Sequence, residues 1–368
     1  MPVVRVSAVD EKDGWVYYTA HGGEGRPYDL HLYRVNLNGG QSARLTQAPG
    51  QHDQSVYHSY LGVRGEGIQF SPSRQFFLDS HSDINRPPQT ELRRADGTLV
   101  EVLSKANADA AMVSRPIPPE EFTVKAADGE TDLYGVLYKP YDFDPGKKYP
   151  VLDSIYAGPQ TTWVPRRFTA DPRGQAFAHL GFIVFVVDAR GTPDRGRAFQ
   201  DVVYMNFGRN EIPDHVATLK QLAAKRPFMD LSRVGVFGAS WGGYFAIRAL
   251  LQAPDVFHVG VAQAPVTDLR QANHDLYMGR PEENKPGYDF ASNVLMAANL
   301  KGHLLLMHGT ADLNAPFSAT IQMIDALMQA GKPYDLVVLP EQTHIPEADS
   351  MMYATDAQKR YLVDHLKP

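Results

Sequence analysis

Short alternating and β-branched runs, cut by turn chemistry, fill the first third of the chain. Residues 3–9, 14–20, 30–37 and 43–46 each read as a strand, rich in Val, Tyr, Leu and Thr. Lys12-Asp13-Gly14, Gly22-Gly23-Glu24-Gly25 and Asn38-Gly39-Gly40 separate them, with glycines supplying the positive φ of tight turns. Four strands in about 45 residues make one blade-sized sheet. A second, less regular set follows at 67–71, 75–80, 90–94 and 99–103, with Ala95-Asp96-Gly97 as a hairpin turn. Two such sheets are too few to close a ring of blades, which normally takes four or more.

Ser114-Arg115-Pro116-Ile117-Pro118-Pro119 then reads as a stiff linker, and the pattern changes beyond it. A hairpin is expected at 122–126 and 133–139 around Asp128-Gly129. Apolar runs at 151–156 and 182–187 suit buried strands, and 212–225 is an amphipathic helix. Strands at 234–237, 259–264, 304–307 and 335–339 alternate with helical patterns after 240, at 317–329 and from about 351. Such alternation predicts a mostly parallel sheet flanked by helices, the α/β class. The expected division is an all-β segment at 1–115 and an α/β domain at 116–368.

Composition removes several alternatives. A hydrophobic content of 43% with 21% charged residues is ordinary for a globular chain. A net charge of −6 gives no reason to expect nucleic acid, and no run approaches membrane-spanning length. With no cysteine there is no disulfide, thiolate nucleophile or thiolate metal site. No His-rich ligand cluster stands out either, so neither metal nor cofactor is expected. Met1-Pro2-Val3-Val4-Arg5-Val6 lacks the layout of a signal peptide, which leaves the compartment open.

The chemistry gathers where strands end. Gly238-Ala239-Ser240-Trp241-Gly242 follows the run Val234-Gly235-Val236-Phe237 and opens a helical pattern. This G-x-S-x-G turn is a nucleophile elbow, tight enough to need small neighbours and to present the serine hydroxyl. Strand 304–307 leads to His308-Gly309-Thr310-Ala311-Asp312-Leu313-Asn314, and strand 335–339 leads to Pro340-Glu341-Gln342-Thr343-His344. A serine hydroxyl needs an imidazole to take its proton, and the imidazole needs a carboxylate to fix its tautomer. Thirteen histidines and 42 acidic residues make any single candidate weak, but the order Ser240, Asp312, His344, each past its own strand, is specific. It predicts an α/β-hydrolase fold with these three as a catalytic triad.

From about residue 118 onward the chain resembles the catalytic domain of the prolyl oligopeptidase family, in its dipeptidyl peptidase IV branch. The matching stretches are Tyr156-Ala157-Gly158-Pro159, the elbow through Gly243-Tyr244, Ala264-Pro265-Val266, Tyr277-Met278-Gly279 and the run from His308 to Asp312. Residues 1–115 resemble only the last blades of that family's propeller. The resemblance implies that the Tyr156 hydroxyl and the Trp241 backbone N–H stabilise the oxyanion. It also implies that Asn314 holds a substrate carbonyl, and that Val266, Leu269 and Tyr244 line the substrate site.

Two departures bear on substrate. Dipeptidyl peptidases hold a free amino terminus with a glutamate pair on the propeller. Here Glu120-Glu121 follows the linker, and Glu282-Glu283 lies in a loop. The stretch from Thr267 to Leu276 is shorter than in the family and has no Phe, Tyr or Trp, which predicts a roomier acyl pocket. Two blades also leave the site open or capped by a partner chain. The expected activity is therefore broad carboxylic ester hydrolysis, with cleavage of short peptides as the alternative and a non-catalytic binding protein as a third. Open sheet edges, and the aromatic run with Trp15, Tyr17 and Tyr18, predict a homo-oligomer, with a dimer through residues 1–115 as the leading form and packing against the α/β domain as the alternative.

Overall fold

Strands β1 (Val3–Asp10), β2 (Trp15–His21), β3 (Leu30–Asn36) and β4 (Ala43–Arg44) pair in that order as an antiparallel sheet. A two-stranded ladder of β5 (Tyr57–His58) and β6 (Val63–Arg64) follows. A second antiparallel sheet, in the order β10-β9-β8-β7, contains β7 (Gln69–Phe70), β8 (Phe76–His81), β9 (Gln89–Arg94) and β10 (Leu99–Lys105). This is a computed structural model; it describes residues 2–23, 25–52, 57–58, 63–64, 68–107, 117–169, 173–271 and 274–368. Residues 114–116 of the expected linker lie outside the described residues.

One expectation for these sheets fails. Tyr17 and Tyr18 are only 1% and 7% exposed. Tyr17 packs on Phe70 with ring centroids 4.7 Å apart, and Tyr18 stacks on Tyr33 at 5.7 Å. The aromatic run therefore fills the interior of its own unit instead of facing a partner. What stays exposed is the outer strand β1, with Val3 and Val6 at 60% and 56%, and the outer strand β10, exposed along its whole length.

The chain divides into two compact units, one of residues 1–118 with the loops 165–172 and 194–197, and one of the remainder. The second unit is built on eight strands. They are β11 (Glu120–Lys125), β12 (Asp132–Tyr138), β13 (Tyr149–Ser154), β14 (Ile183–Val187), β15 (Met229–Ala239), β16 (Val259–Gln263), β17 (His303–Gly309) and β18 (Asp335–Leu339). Their order is β11-β12-β14-β13-β15-β16-β17-β18, antiparallel over the first three and parallel from β14 onward. Among the helices of the described residues are α1 (Arg173–Ala178), α2 (Glu211–Lys225), α3 (Trp241–Gln252), α4 (Lys285–Ala291), α5 (Phe317–Gln329) and α6 (Ala348–Leu366). This is the α/β-hydrolase arrangement. No described helix is long and apolar enough to cross a membrane.

Every residue of β13, β14 and β16 is buried, as strands covered on both faces must be. Two glycines show which helices cover them. A Cβ on Gly235 would stand 2.7 Å from Leu366 of α6, and one on Gly260 would stand 2.6 Å from Leu250 of α3. Gly235 pairs with Val259, so Gly260 points to the opposite face. Helices α3 and α6 thus sandwich the middle of the sheet.

Helix α2 buries Ile212, His215, Leu219 and Leu222, a spacing that keeps one apolar stripe inward. His215 Nδ1 meets Asp153 Oδ2 of β13 at 2.7 Å, with both side chains wholly buried. Asp214 accepts from Arg190 Nε at 2.9 Å and NH2 at 2.8 Å, and from the Ala127 amide at 2.9 Å. Arg190 reaches Asp128 as well, at 2.7 Å, so the Asp188-Ala189-Arg190 stretch braces the opening hairpin. Glu211, wholly buried at the start of α2, accepts from the Asn210 and Gly208 amides at 3.0 and 3.2 Å.

Burial drives the Glu211 carboxyl up to about 7, against those amide hydrogen bonds. A raised carboxyl holds its proton more tightly folded than unfolded, so its contribution is complete below the ordinary value of about 4.3 and is lost as pH rises through about 7. Glu211→Gln is expected to abolish this part of the pH dependence, worth on the order of 3 kcal/mol between pH 5 and 8. Urea unfolding of both proteins at the two pH values checks it. An equal pH dependence in the variant contradicts the assignment.

Candidate active site

The elbow is built by close approach. A Cβ on Gly238 would lie 2.4 Å from the Ile155 carbonyl oxygen and 2.5 Å from that of Gly242; one on Gly242 would also lie 2.4 Å from the Ile155 oxygen. The end of β13 therefore presses on both glycines, which is why the turn tolerates no side chain at either. Between them Ser240 takes φ 58° and ψ −119°, outside the regions open to an ordinary residue. A conformation of this kind costs about 1–3 kcal/mol and persists only where its surroundings enforce it. Here the Ser240 amide donates to the Gln263 carbonyl at 2.9 Å, while the Ser240 carbonyl accepts from Tyr244 N–H at 3.0 Å. Ser240 is half-buried at the head of α3, whose first N–H groups have no intrahelical acceptor.

Tyr156 sits two residues past the end of β13, and its Cα would be 3.3 Å from a Cβ on Gly242. A Cβ on Gly158 would stand 2.7 Å from the Tyr156 ring and 3.0 Å from the Trp241 ring, so the two side chains border this glycine. Trp163 stacks on Tyr156 at 4.9 Å, and Gln160 Nε2 donates to the phenol oxygen at 2.7 Å. Accepting a hydrogen bond polarises the hydroxyl and strengthens it as a donor. Neither Trp163 nor Gln160 stood out in the sequence. Gln160 follows Tyr156 by four residues with nothing in the pattern to mark it.

Asp312 and His344 meet directly. His344 Nδ1 lies 2.7 Å from Asp312 Oδ2, which leaves Nε2 as the proton-accepting end of the ring. Asp312 Oδ1 accepts from the amides of Asn314 and Ala315 at 2.8 and 2.9 Å. Burial opposes ionisation of Asp312, but hydrogen bonds from His308, His344 and Ala315 outweigh it and hold the carboxyl well below its usual range. The loop carrying His344 is pinned to β17: the Ala311 amide donates to Gln342 O at 3.0 Å, and a Cβ on Gly309 would be 2.3 Å from that oxygen. His308 is a second imidazole on Asp312 that the triad pattern did not reveal.

Register brings the strand ends level. Ser154 pairs with Phe237, Ala239 with Gln263, Gln263 with Met307, and Gly309 with Leu339. Tyr156, Ser240, Asp312 and His344 consequently leave the sheet along one edge, its carboxyl edge, where ligands of parallel sheets bind. Trp241, Val266, Leu269 and Tyr244 share one buried cluster with Tyr156. Tyr244 is 0% exposed, packs edge-on against Trp241, and donates its hydroxyl to the Ala291 carbonyl at 2.7 Å. That commitment makes it a strut between α3 and α4 instead of an open pocket wall. Leu269, 1% exposed, is buried alongside, whereas Asn314 is exposed two residues past Asp312.

The shortened stretch after Val266 holds a ring after all. His274 lies 4.9 Å from the Trp241 ring, and Tyr277 meets that ring edge-on at 6.2 Å. Residues 272–273 lie outside the described residues. Glu120 forms ion pairs with Arg226 and, at 3.0 Å, with Lys139, which fits a strand anchor.

Comparison with known proteins places the chain in a family. Residues 168–368 match the model of the prolyl oligopeptidase family, and residues 1–88 match that of the dipeptidyl peptidase IV N-terminal region. Dipeptidyl peptidase 8 of Homo sapiens is 36% identical over 359 residues, covering 92% of this chain and 38% of the relative. Its Mus musculus counterpart is 35% identical with the same coverage. The crystal structure of Porphyromonas gingivalis dipeptidyl peptidase 4 superposes with a TM-score of 0.85 at 28% identity, over 99% of this chain and 50% of that one. The chain thus spans well under half the length of these curated relatives.

With the phenol as oxyanion donor, Tyr156→Phe is expected to lower kcat roughly a hundredfold, with a smaller change in KM. Steady-state kinetics on an activated ester checks this. Unchanged turnover means that another group fills the role.

Proposed function

Because the chain belongs to the prolyl oligopeptidase family, we propose that it is a serine peptidase acting on short peptides, with the dipeptidyl peptidase reaction of its named relatives as the leading form. The observation that carries this reading is the Asp312–His344 pair, on the sheet edge that also presents the strained Ser240. In the proposed cycle Ser240 Oγ attacks the scissile carbonyl while His344 Nε2 takes its proton. The Tyr156 hydroxyl and Trp241 N–H donate to the oxyanion. His344 then protonates the departing amine, and water enters by the reverse steps to free the enzyme. Asp312 holds the imidazole through Nδ1 and balances its charge. Asn314 remains the proposed contact for a substrate carbonyl, and Val266 and Leu269 the apolar backing of the acyl pocket.

A second reading, ester hydrolysis, draws on the residues beyond Val266. The ring against Trp241 is the polar His274, whose buried Nε2 has no hydrogen-bond partner among the described residues. A pocket walled in this way selects less sharply for a proline ring than flat aromatic walls do. Both readings use the same acyl-enzyme, and they differ in whether the leaving group must be protonated to depart.

Chromogenic dipeptide amides with a free or blocked amine, assayed beside an aryl ester, separate the two. The peptidase reading expects cleavage of the free-amine amides. Ser240→Ala and His344→Ala are each expected to lose about three orders of magnitude or more while staying folded. Hydrolysis of the ester alone favours the second reading. Activity that survives in Ser240→Ala defeats both.

A homodimer through the N-terminal unit belongs to the same proposal, now resting on the exposed apolar residues of the outer strands β1 and β10. Light scattering at micromolar concentration is expected to give twice the chain mass. A monomer there removes the dimer from the proposal.

A further inference from the structure

The carboxylate of Asp312 serves two imidazoles through one oxygen. His308, on β17, is wholly buried. Its Nε2 lies 2.8 Å from the Ala315 carbonyl and 3.2 Å from Asp312 Oδ2. Both neighbours are acceptors, so Nε2 carries the proton and shares it between them. That tautomer leaves Nδ1 to accept from the Thr320 hydroxyl of α5, 2.7 Å away. His344 Nδ1 donates to the same Oδ2 at 2.7 Å, while Oδ1 is taken up by two backbone amides.

We propose that His308 is a positioning residue for the triad: its Nε2–H competes with His344 for Asp312 Oδ2 and so sets how tightly Asp312 holds the His344 proton. The inference rests on the triad reading given above. A hydrogen bond donated to a carboxylate disperses its charge and lowers its basicity. The weaker partner stabilises the His344 imidazolium less. The donor also fixes the carboxylate rotation that points Oδ2 at His344, a second role typical of residues behind a catalytic group.

The groups around the pair come from three elements. The strand end of β17 supplies His308 and Asp312, and the loop after β18 supplies His344. From α5 come Thr320 and, edge-on to the His308 ring at 5.6 Å, Phe317, both uncharged. The loop's carboxylates, Glu341 and Glu347, are exposed. The direction of the Asp312 shift accords with this arrangement, since after burial the His308 hydrogen bond is its largest cause.

The test follows the pH dependence of Ser240 labelling by a fluorophosphonate probe, together with hydrolysis of an activated aryl ester. His308→Leu removes the donor and is expected to move the midpoint of the acidic limb upward by about half a pH unit or more. His308→Gln, which can restore an N–H, is expected to return it toward the parent value. Where His308→Leu does not fold, Thr320→Val releases the ring from α5 and is expected to move the limb in the same direction by less. An acidic limb unmoved in the folded variants overturns the proposal, even if the plateau rate falls. Failure of the unaltered protein to label at Ser240 overturns the hydrolase reading itself, a result distinct from an unmoved limb.

Discussion

Everything at the site depends on the contact between the Ile155 carbonyl and the two elbow glycines. Were β13 half an ångström further from β15 and α3, the turn could relax and Ser240 could leave its positive φ. The carbonyl cannot retreat, because β13 is hydrogen-bonded on both sides, to β14 and to β15. Its Asp153 is also clamped to His215 of α2. Strain at one residue is thus held by a buried parallel sheet. The same pressure sets Tyr156, the next residue along, against the head of α3, so the nucleophile and the proposed oxyanion donor are placed by one packing event.

Asp312 is the second centre, and its geometry explains why a buried carboxylate can remain ionised. Taking a lone carboxylate out of water is costly, and an unpaired one keeps its proton instead. Four donors surround this one: two amides on Oδ1 and two imidazoles on Oδ2. The amides come from the turn that Asp312 itself starts, so the fold supplies half of the compensation before any catalytic partner arrives. Glu211 shows the contrary outcome. It too accepts two amides, yet no imidazole faces it among its recorded hydrogen bonds, and burial pushes its carboxyl up to about 7.

Most of this architecture was legible in the sequence because the signals were local. Apolar runs marked β13, β14, β16, β17 and β18 to within two residues, and the spacing of α2 and α5 followed from their inward stripes. Strand β15 extends back to Met229, beyond the expected start at 234, since Asp230, Ser232 and Arg233 interrupt the apolar run. That stretch pairs only with Tyr149 and Pro150, through a register shift. At the site, the elbow glycines were readable because their requirement is steric and lies within five residues. The support of Tyr156 by Gln160 and Trp163 was not, since it depends on how the loop after β13 folds back. His308 lies four residues before Asp312, but whether two side chains so spaced meet depends on the bend where the strand ends. Tyr244 misled for another reason. Helix α3 is buried on nearly every side, so periodicity offered no open face against which to judge it.

The division of the chain bears on what its shortness relative to its relatives means for chemistry. Ser240, Asp312, His344, Tyr156 and Trp241 all lie in the second compact unit, as do Asn314, Val266, Leu269 and His308. None of the proposed acyl-transfer steps calls on a side chain from the N-terminal unit. Bond-making and proton transfer need groups held to fractions of an ångström, which a single hydrogen-bonded sheet supplies. Choosing among substrates is a difference of binding energies and can be drawn from surfaces beyond that sheet. A chain that spans 38% of dipeptidyl peptidase 8 can therefore hold all the groups of the proposed acyl transfer within one unit. Near the elbow, the residue proposed to bear on selectivity is His274, which stands against Trp241. Under the proposed mechanism a polar ring there alters which acyl group fits without touching the proposed nucleophile, base or oxyanion donors.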